Sequence, residues 1–271
     1  MPTLNRSQAE ELLAFAHRLA DAAAKVTLAH FRTPLSVGNK SEDGFDPVTE
    51  ADRGAETAIR ALIEKTYPGH GILGEEHGAS RSRDGFTWVI DPIDGTRSFI
   101  TGSPLWGTLI ALNDGERPVI GVLDQPFLKE RFWGVSMPDW REAAIETPEK
   151  RLSLATRACP RLADAALSTT TIEMFKGLER EQFEALMSRV RLLRFGGDCY
   201  QYGLLAHGFM DLVAETRLAP YDIQALIPII EGAGGAVTNW QGGPADQGGN
   251  VVAAGDPRTH AEALEILSSR T

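Results

Sequence analysis

The chain has 271 residues, 42% of them apolar, with 27 glycines and a formal charge of −10, enough for one large domain or two closely packed ones. No basic cluster longer than Arg81-Ser82-Arg83 occurs, so neither a nucleic-acid backbone nor an anionic membrane surface is expected as a partner. An acidic protein can still take an anionic substrate when bound cations invert the local field.

The opening stretch MPTLNRSQAEELLAF is charged throughout and lacks the apolar core of a signal peptide. No run approaches the roughly 18 apolar residues that span a bilayer, and a soluble, cytoplasmic protein is expected. Ser7 and Glu10 form an S-x-x-E box ahead of a helical pattern that runs to about Phe31. Thr33 to Asp46 reads as a polar loop, and a second helix covers about Thr49 to Tyr67, boxed by Thr49 and Asp52. Short strands follow at GILGEE, FTWVID, LWGTLIALN, PVIGVLDQP and ERFWGVS. Their close spacing and the turn signals between them predict a largely antiparallel sheet.

From about residue 150 strands and helices alternate. AALSTT, RLLRFG, DLVAET, GAVTNW and NVVAAG are the strand candidates, and helices are expected near 179–189, 199–208, 222–233 and 257–269. The division is an α+β half, 1–148, and a smaller α/β half, 149–271. Cys159 and Cys199 show no metal-ligand spacing and read as reduced thiols.

The segment WVIDPIDGTRSF ends an apolar strand with Asp91 and Asp94. Two carboxylates so close repel unless a cation lies between them, and oxygen ligands with no His or Cys nearby suit Mg²⁺ rather than zinc. Pro92, with no N–H to donate, is expected to stop the strand ladder, and the N–H groups of Gly95 and Thr96 at the turn suit a phosphate. By itself D-x-x-D is commonly a solvated turn. GILGEEHG, ending in Glu75-Glu76, and APYDIQALIPIIEGAGG, carrying Asp222 at a helix start, add to it. Asp222 also suits a helix N-cap.

Taken together, GEE, DPIDGT and a Y-D-x-x-A helix ending in AGG resemble the inositol monophosphatase family of Mg²⁺-dependent, lithium-sensitive phosphatases. The likeness runs from FDPVTEAD to VVAAG; one departure is Tyr221, where many members have Trp. The resemblance implies a layered αβαβα sandwich of the sugar-phosphatase type, a homodimer, and two to three Mg²⁺ per active site. It assigns one metal to Glu75, Asp91 and the carbonyl of Ile93, and a second to Asp91, Asp94 and Asp222. It also implies that Asp46 and Thr96 orient and deprotonate the attacking water, with Glu75 as another proton acceptor. Gly95 and Thr96 would hold the phosphate. Glu76 reads as a supporting residue and His77 as a surface or supporting one. No Ser, Cys or His stands in a nucleophile-plus-base pattern, so no phosphoenzyme is expected.

The leaving-group pocket is sought in LRFGGDCYQYGLLAHGFMDLVAET. Glu215, seven residues before Asp222, matches a glutamate of the family. Asp198 replaces a small neutral residue, which suits a cationic alcohol better than inositol. The pattern G-D-C-Y, with DPIDGTRSF upstream, resembles the histidinol-phosphate phosphatase branch. Arg194 and Gln201 are further candidates for this pocket, and Asp198 also suits the N-cap of the helix from Cys199. The rival readings are an inositol-1-phosphate or broad sugar-phosphate phosphatase, a nucleotide bisphosphate phosphatase and a non-catalytic scaffold. The short Glu76–Asp91 interval disfavours the nucleotide reading, and the complete ligand set disfavours the scaffold.

Overall fold

A computed structural model describes residues 4–39 and 47–269. Helix α1, Arg6–His30, starts two residues before the expected box: Asn5 is the N-cap and exchanges hydrogen bonds with Gln8. An Asn one turn ahead of a Gln does the same chemistry as Ser7 with Glu10, and it comes first in the chain. The short pair β1, Val37–Asn39, and β2, Pro47–Thr49, leads into α2, Glu50–Thr66, which is boxed by Thr49 and Asp52 as expected.

The first large sheet contains β3 (Gly71–Gly74), β4 (Gly78–Ser80), β5 (Thr87–Asp94), β6 (Gly107–Asn113), β7 (Pro118–Gln125), β8 (Glu130–Met137), β9 (Trp140–Glu146) and β10 (Arg151–Ser153), and the short α3, Thr96–Ile100, follows β5. Its order is β10-β9-β8-β7-β6-β5-β3-β4, with β3 parallel to β5 and the other pairs antiparallel. The sequence patterns did not predict β1, β2, β4, β9 or β10. β10 also extends this sheet past the expected boundary at 148.

The second sheet has the order β12-β11-β13-β15-β14. It comprises β11 (Ala166–Thr169), β12 (Leu192–Phe195), β13 (Leu212–Leu218), β14 (Ala236–Asn239) and β15 (Gly249–Ala254). Between these strands run α4 (Gly177–Met187), α5 (Asp198–Ala206), α6 (Pro220–Ile223) and α7 (Leu226–Gly232), and α8 (Pro257–Leu267) closes the described chain. The helix expected over 222–233 is thus two helices, broken at Gln224–Ala225.

Strand parity stacks these elements in five layers. In β5 and β6, Trp88, Ile90, Ile110 and Leu112 join Leu12, Phe15, Leu19, Ile59 and Ile63 of α1 and α2. Their alternates Val89, Leu109 and Ala111 face Tyr202, Leu205, Ile223 and Leu226 of α5, α6 and α7. Val213, Val251 and Ala253 of the second sheet close the same core from beyond those helices. Leu212, Val252 and Ala254 point the other way, onto Phe183 of α4 and Ala263 and Leu267 of α8. Both sheets are apolar on two faces because each is covered on two faces. The order α-β-α-β-α is the sandwich expected from the sequence.

Candidate active site

In a regular strand, residues three apart point to opposite faces. Asp91 and Asp94 would then diverge. They do not, because β5 is bulged there: Asp91 pairs with Leu109 and Asp94 with Gly107, three steps on one strand against two on the other. The extra residue restores the phase. Pro92 falls inside the bulge, where no N–H is needed, and its carbonyl accepts from Thr108 Oγ1 at 2.8 Å. The strand therefore runs through Pro92 to Asp94 instead of stopping at it.

Parallel register delivers Glu75. Gly74 lies opposite Ile90, and Glu75 N–H donates to the Ile90 carbonyl at 3.3 Å, which sets Glu75 beside Asp91. Buried Glu56 of α2 fixes the turn that follows, accepting from Glu76 N–H at 2.7 Å and His77 N–H at 3.1 Å. The His77 ring is exposed and meets Thr57 and the Arg53 carbonyl, away from the cleft. Asp222 arrives on the first turn of α6, where its Oδ2 accepts from Ala219 N–H at 2.7 Å. It is the third residue of α6, and Ala219 is the N-cap.

One oxygen from each of Asp91, Asp94 and Asp222 lies within 4.8 Å of the others. Burial, and then the charges of Glu75, Asp94 and Asp222, push the Asp91 carboxyl well above its usual range. Asp94 is raised by burial and by Asp198 and Asp222, and is drawn back by Cys199 N–H, which donates to its Oδ2 at 2.7 Å. A positive charge held between these carboxylates would relieve such mutual repulsion. An all-oxygen donor set fits a hard divalent cation.

The cleft holds a cavity of about 190 Å³ lined by Glu75, Asp91, Ile93, Asp94, Gly95, Thr96, Thr170, Met174, Asp198, Cys199, Tyr202, Glu215, Leu218 and Asp222. Of these lining residues six are carboxylates and none is Lys or Arg. Ile93 donates its N–H to Asp91 Oδ1 at 3.0 Å, and its carbonyl accepts from Thr96 Oγ1 at 3.2 Å. Gly95, in the left-handed region with φ of 82°, turns the chain into α3.

Glu215 and Leu218 reach the cavity by a second bulge. On β13, Glu215 pairs with Val251 and Leu218 with Gly249, so residues three apart again share a side. The Glu215 carboxylate accepts from Thr170 N–H at 2.9 Å, Gln201 Nε2 at 3.0 Å and Tyr202 Oη at 2.8 Å. Burial raises its pKa while the Thr170 and Tyr202 hydrogen bonds lower it. Gln201 thus supports Glu215 and does not line the cavity. Asp198 is the first residue of α5, not its N-cap, which is Gly197.

One expectation does not fit this geometry, and one falls on residues that are not described. Arg194 sits exposed on β12 and is not among the residues that line the cavity; its carbonyl accepts from Ser168 Oγ at 3.4 Å. Asp46 lies outside the described residues. Among the described residues the carboxylate that meets Thr96 is Asp52, whose Oδ1 is 3.5 Å from Thr96 Oγ1 while its Oδ2 accepts from Thr49 N–H at 2.8 Å. Asp52 is fully buried, and burial raises its pKa against the hydrogen bonds of Thr49. The sequence reading recognised Asp52 as a capping residue and stopped there. Tyr202, Thr170, Met174 and Leu218 were not anticipated as lining residues, since an apolar or hydroxyl side chain in a strand or helix carries no signal of its own.

A five-layer sandwich with an acidic, cation-seeking cleft between its sheets defines a class of metal-dependent phosphatase. The sequence profile of the inositol monophosphatase family matches residues 8–270, and the chain belongs to that family. It is 41% identical to a bifunctional phosphatase, IMPL2, of Arabidopsis thaliana, over 97% of this chain and 77% of that protein. A histidinol-phosphatase of Mycobacterium tuberculosis is 35% identical over 95% of this chain and 98% of its own. Among solved structures, an inositol monophosphatase from Zymomonas mobilis superposes with a TM-score of 0.86 at 43% identity, covering 97% of this chain and 100% of that one.

Proposed function

We propose that this phosphatase is a Mg²⁺-dependent phosphomonoesterase that hydrolyses histidinol phosphate to histidinol and inorganic phosphate. The observation that carries the reading is a cavity whose described lining holds six carboxylates and no Lys or Arg. A phosphate ester enters such a site only with cations, and the carboxylates beyond the metal cluster favour an alcohol that is itself cationic. Histidinol, with an ammonium and an imidazole, has that chemistry, and the mycobacterial relative is a histidinol-phosphatase.

Glu75, Asp91, Asp94 and Asp222, with the Ile93 carbonyl, would hold the Mg²⁺, two or three ions by family resemblance. Bound there, the metal would acidify a water and offset charge on the phosphoryl oxygens. The chain's own groups do the rest. Thr96 Oγ1, between the Ile93 carbonyl and Asp52, orients the attacking water, and Asp52 Oδ1 receives the proton. N–H groups of Gly95 and Thr96, unused by α3, donate to a phosphoryl oxygen. Asp198 and Glu215 face the leaving alcohol.

The second reading, an inositol-1-phosphate or broad sugar-phosphate phosphatase, is favoured by the Zymomonas mobilis structure. Side-by-side kinetics on histidinol phosphate, inositol 1-phosphate and an adenosine bisphosphate separate the two. The proposal expects kcat/KM highest for histidinol phosphate. Equal or higher values for inositol 1-phosphate would replace it with the second reading.

A further inference from the structure

Asp198 stands in an unusual backbone setting. Its φ is 43°, in the left-handed region that side chains other than Asn, Asp and Gly rarely adopt. Two features surround its side chain. Gly95 of the DPIDGT turn leaves it room: a Cβ at Gly95 would lie 2.9 Å from Asp198 Cγ. Ser98 of α3, a hundred residues away in sequence, donates its hydroxyl to Asp198 Oδ2 at 2.6 Å. The next residue, Cys199, sends its N–H to Asp94 Oδ2. One two-residue step therefore presents a carboxylate to the cavity and anchors a cluster aspartate.

We infer that Ser98 is a positioning residue for substrate selection: its hydroxyl fixes the rotamer of Asp198 so that this carboxylate meets the cationic group of the leaving alcohol. The inference rests on the proposed preference for a cationic alcohol and adds the residue that enforces it. A carboxylate accepts on both oxygens, so the hydrogen bond to Oδ2 leaves acceptor capacity for a ligand N–H. Ser98 also compensates the desolvation of Asp198. Burial raises the carboxyl pKa, and the Ser98 hydrogen bond, then the Arg97 charge, draw it down towards the ionised form. Without the hydroxyl, Asp198 would be freer to rotate. That weakens its grip on a cation, while Asp94 keeps its hydrogen bond from Cys199 N–H.

The test compares wild type, Ser98→Ala and Ser98→Thr on histidinol phosphate and on glycerol phosphate, whose alcohol is neutral. For Ser98→Ala the ratio of kcat/KM between the two esters should fall about tenfold, as expected for one charge-assisted hydrogen bond. The loss should appear in KM for histidinol phosphate, and Ser98→Thr, which keeps the hydroxyl, should restore most of the ratio. A general structural defect would instead lower both esters together and would not be rescued by Thr. If wild type discriminates and Ser98→Ala discriminates equally, or both esters fall in parallel, this inference is overturned alone. A wild type with no preference for the cationic ester overturns the substrate reading and the inference with it.

Discussion

Asp52 performs two tasks with two oxygens. Oδ2 closes the N-terminus of α2 by accepting from Thr49, and Oδ1 faces Thr96 across the cleft. The stretch FDPVTEAD offers two aspartates six residues apart; the family resemblance suggested the water-orienting role for Asp46, which lies outside the described residues, and the local pattern suggested the capping role for Asp52. Capping patterns are local and legible in sequence; the approach of Thr96, from the far end of β5, is not. Replacing Asp52 by Asn keeps an acceptor for Thr49 while removing the proton acceptor. We predict that Asp52→Asn lowers kcat by about 10²–10⁴-fold, the usual scale of general-base catalysis, with KM changed little. Steady-state kinetics at saturating Mg²⁺ check this, and an unaltered kcat would remove Asp52 from the proton path.

Elements deliver these residues through irregularities more than through regular geometry. Each of β5 and β13 carries a three-against-two bulge, and each bulge turns a pair of residues three apart towards the same cavity. Alternation patterns locate strands but are blind to an added residue, which explains why the strands were legible and the shared orientation was not. Pro92 was the available sign, and it read as a strand end. α7, which follows α6 and its Asp222 after two residues, packs closely on the first sheet. A Cβ at Gly121 would lie 1.9 Å from the Ala225 carbonyl, and one at Gly134 would lie 2.4 Å from Ile229 Cα. Both obstacles are backbone, so the helix rather than a rotamer would have to move. Gly121→Ala should therefore cost about 1–3 kcal/mol of stability by overpacking and shift α6 with α7. The expected signature is a lower midpoint in denaturant together with a higher Mg²⁺ requirement for activity. Loss of stability with an unchanged Mg²⁺ requirement would show that Asp222 is placed independently of α7.

Over the whole molecule, five layers bring the two halves of the sequence onto one cleft. Glu75, Asp91 and Asp94 come from the first sheet, while Asp198, Glu215 and Asp222 come from the segments built around the second. The layered class was legible through the family resemblance of the GEE, DPIDGT and AGG motifs, and the strands are apolar on both faces as such layers require. The five strands missed by pattern are mostly short or edge elements: β4 and β10 end the first sheet, and their residues are exposed. Exposure leaves such strands without the alternation that marks the others. What unites the two halves is charge: six acidic side chains of the described residues line one cavity, which disfavours an anion unless cations are bound there. Phosphate release from histidinol phosphate by chelator-stripped protein, measured as Mg²⁺ is added back, tests this directly. The account predicts no turnover above background without metal and saturable recovery with it. Undiminished turnover in the metal-free protein would contradict it.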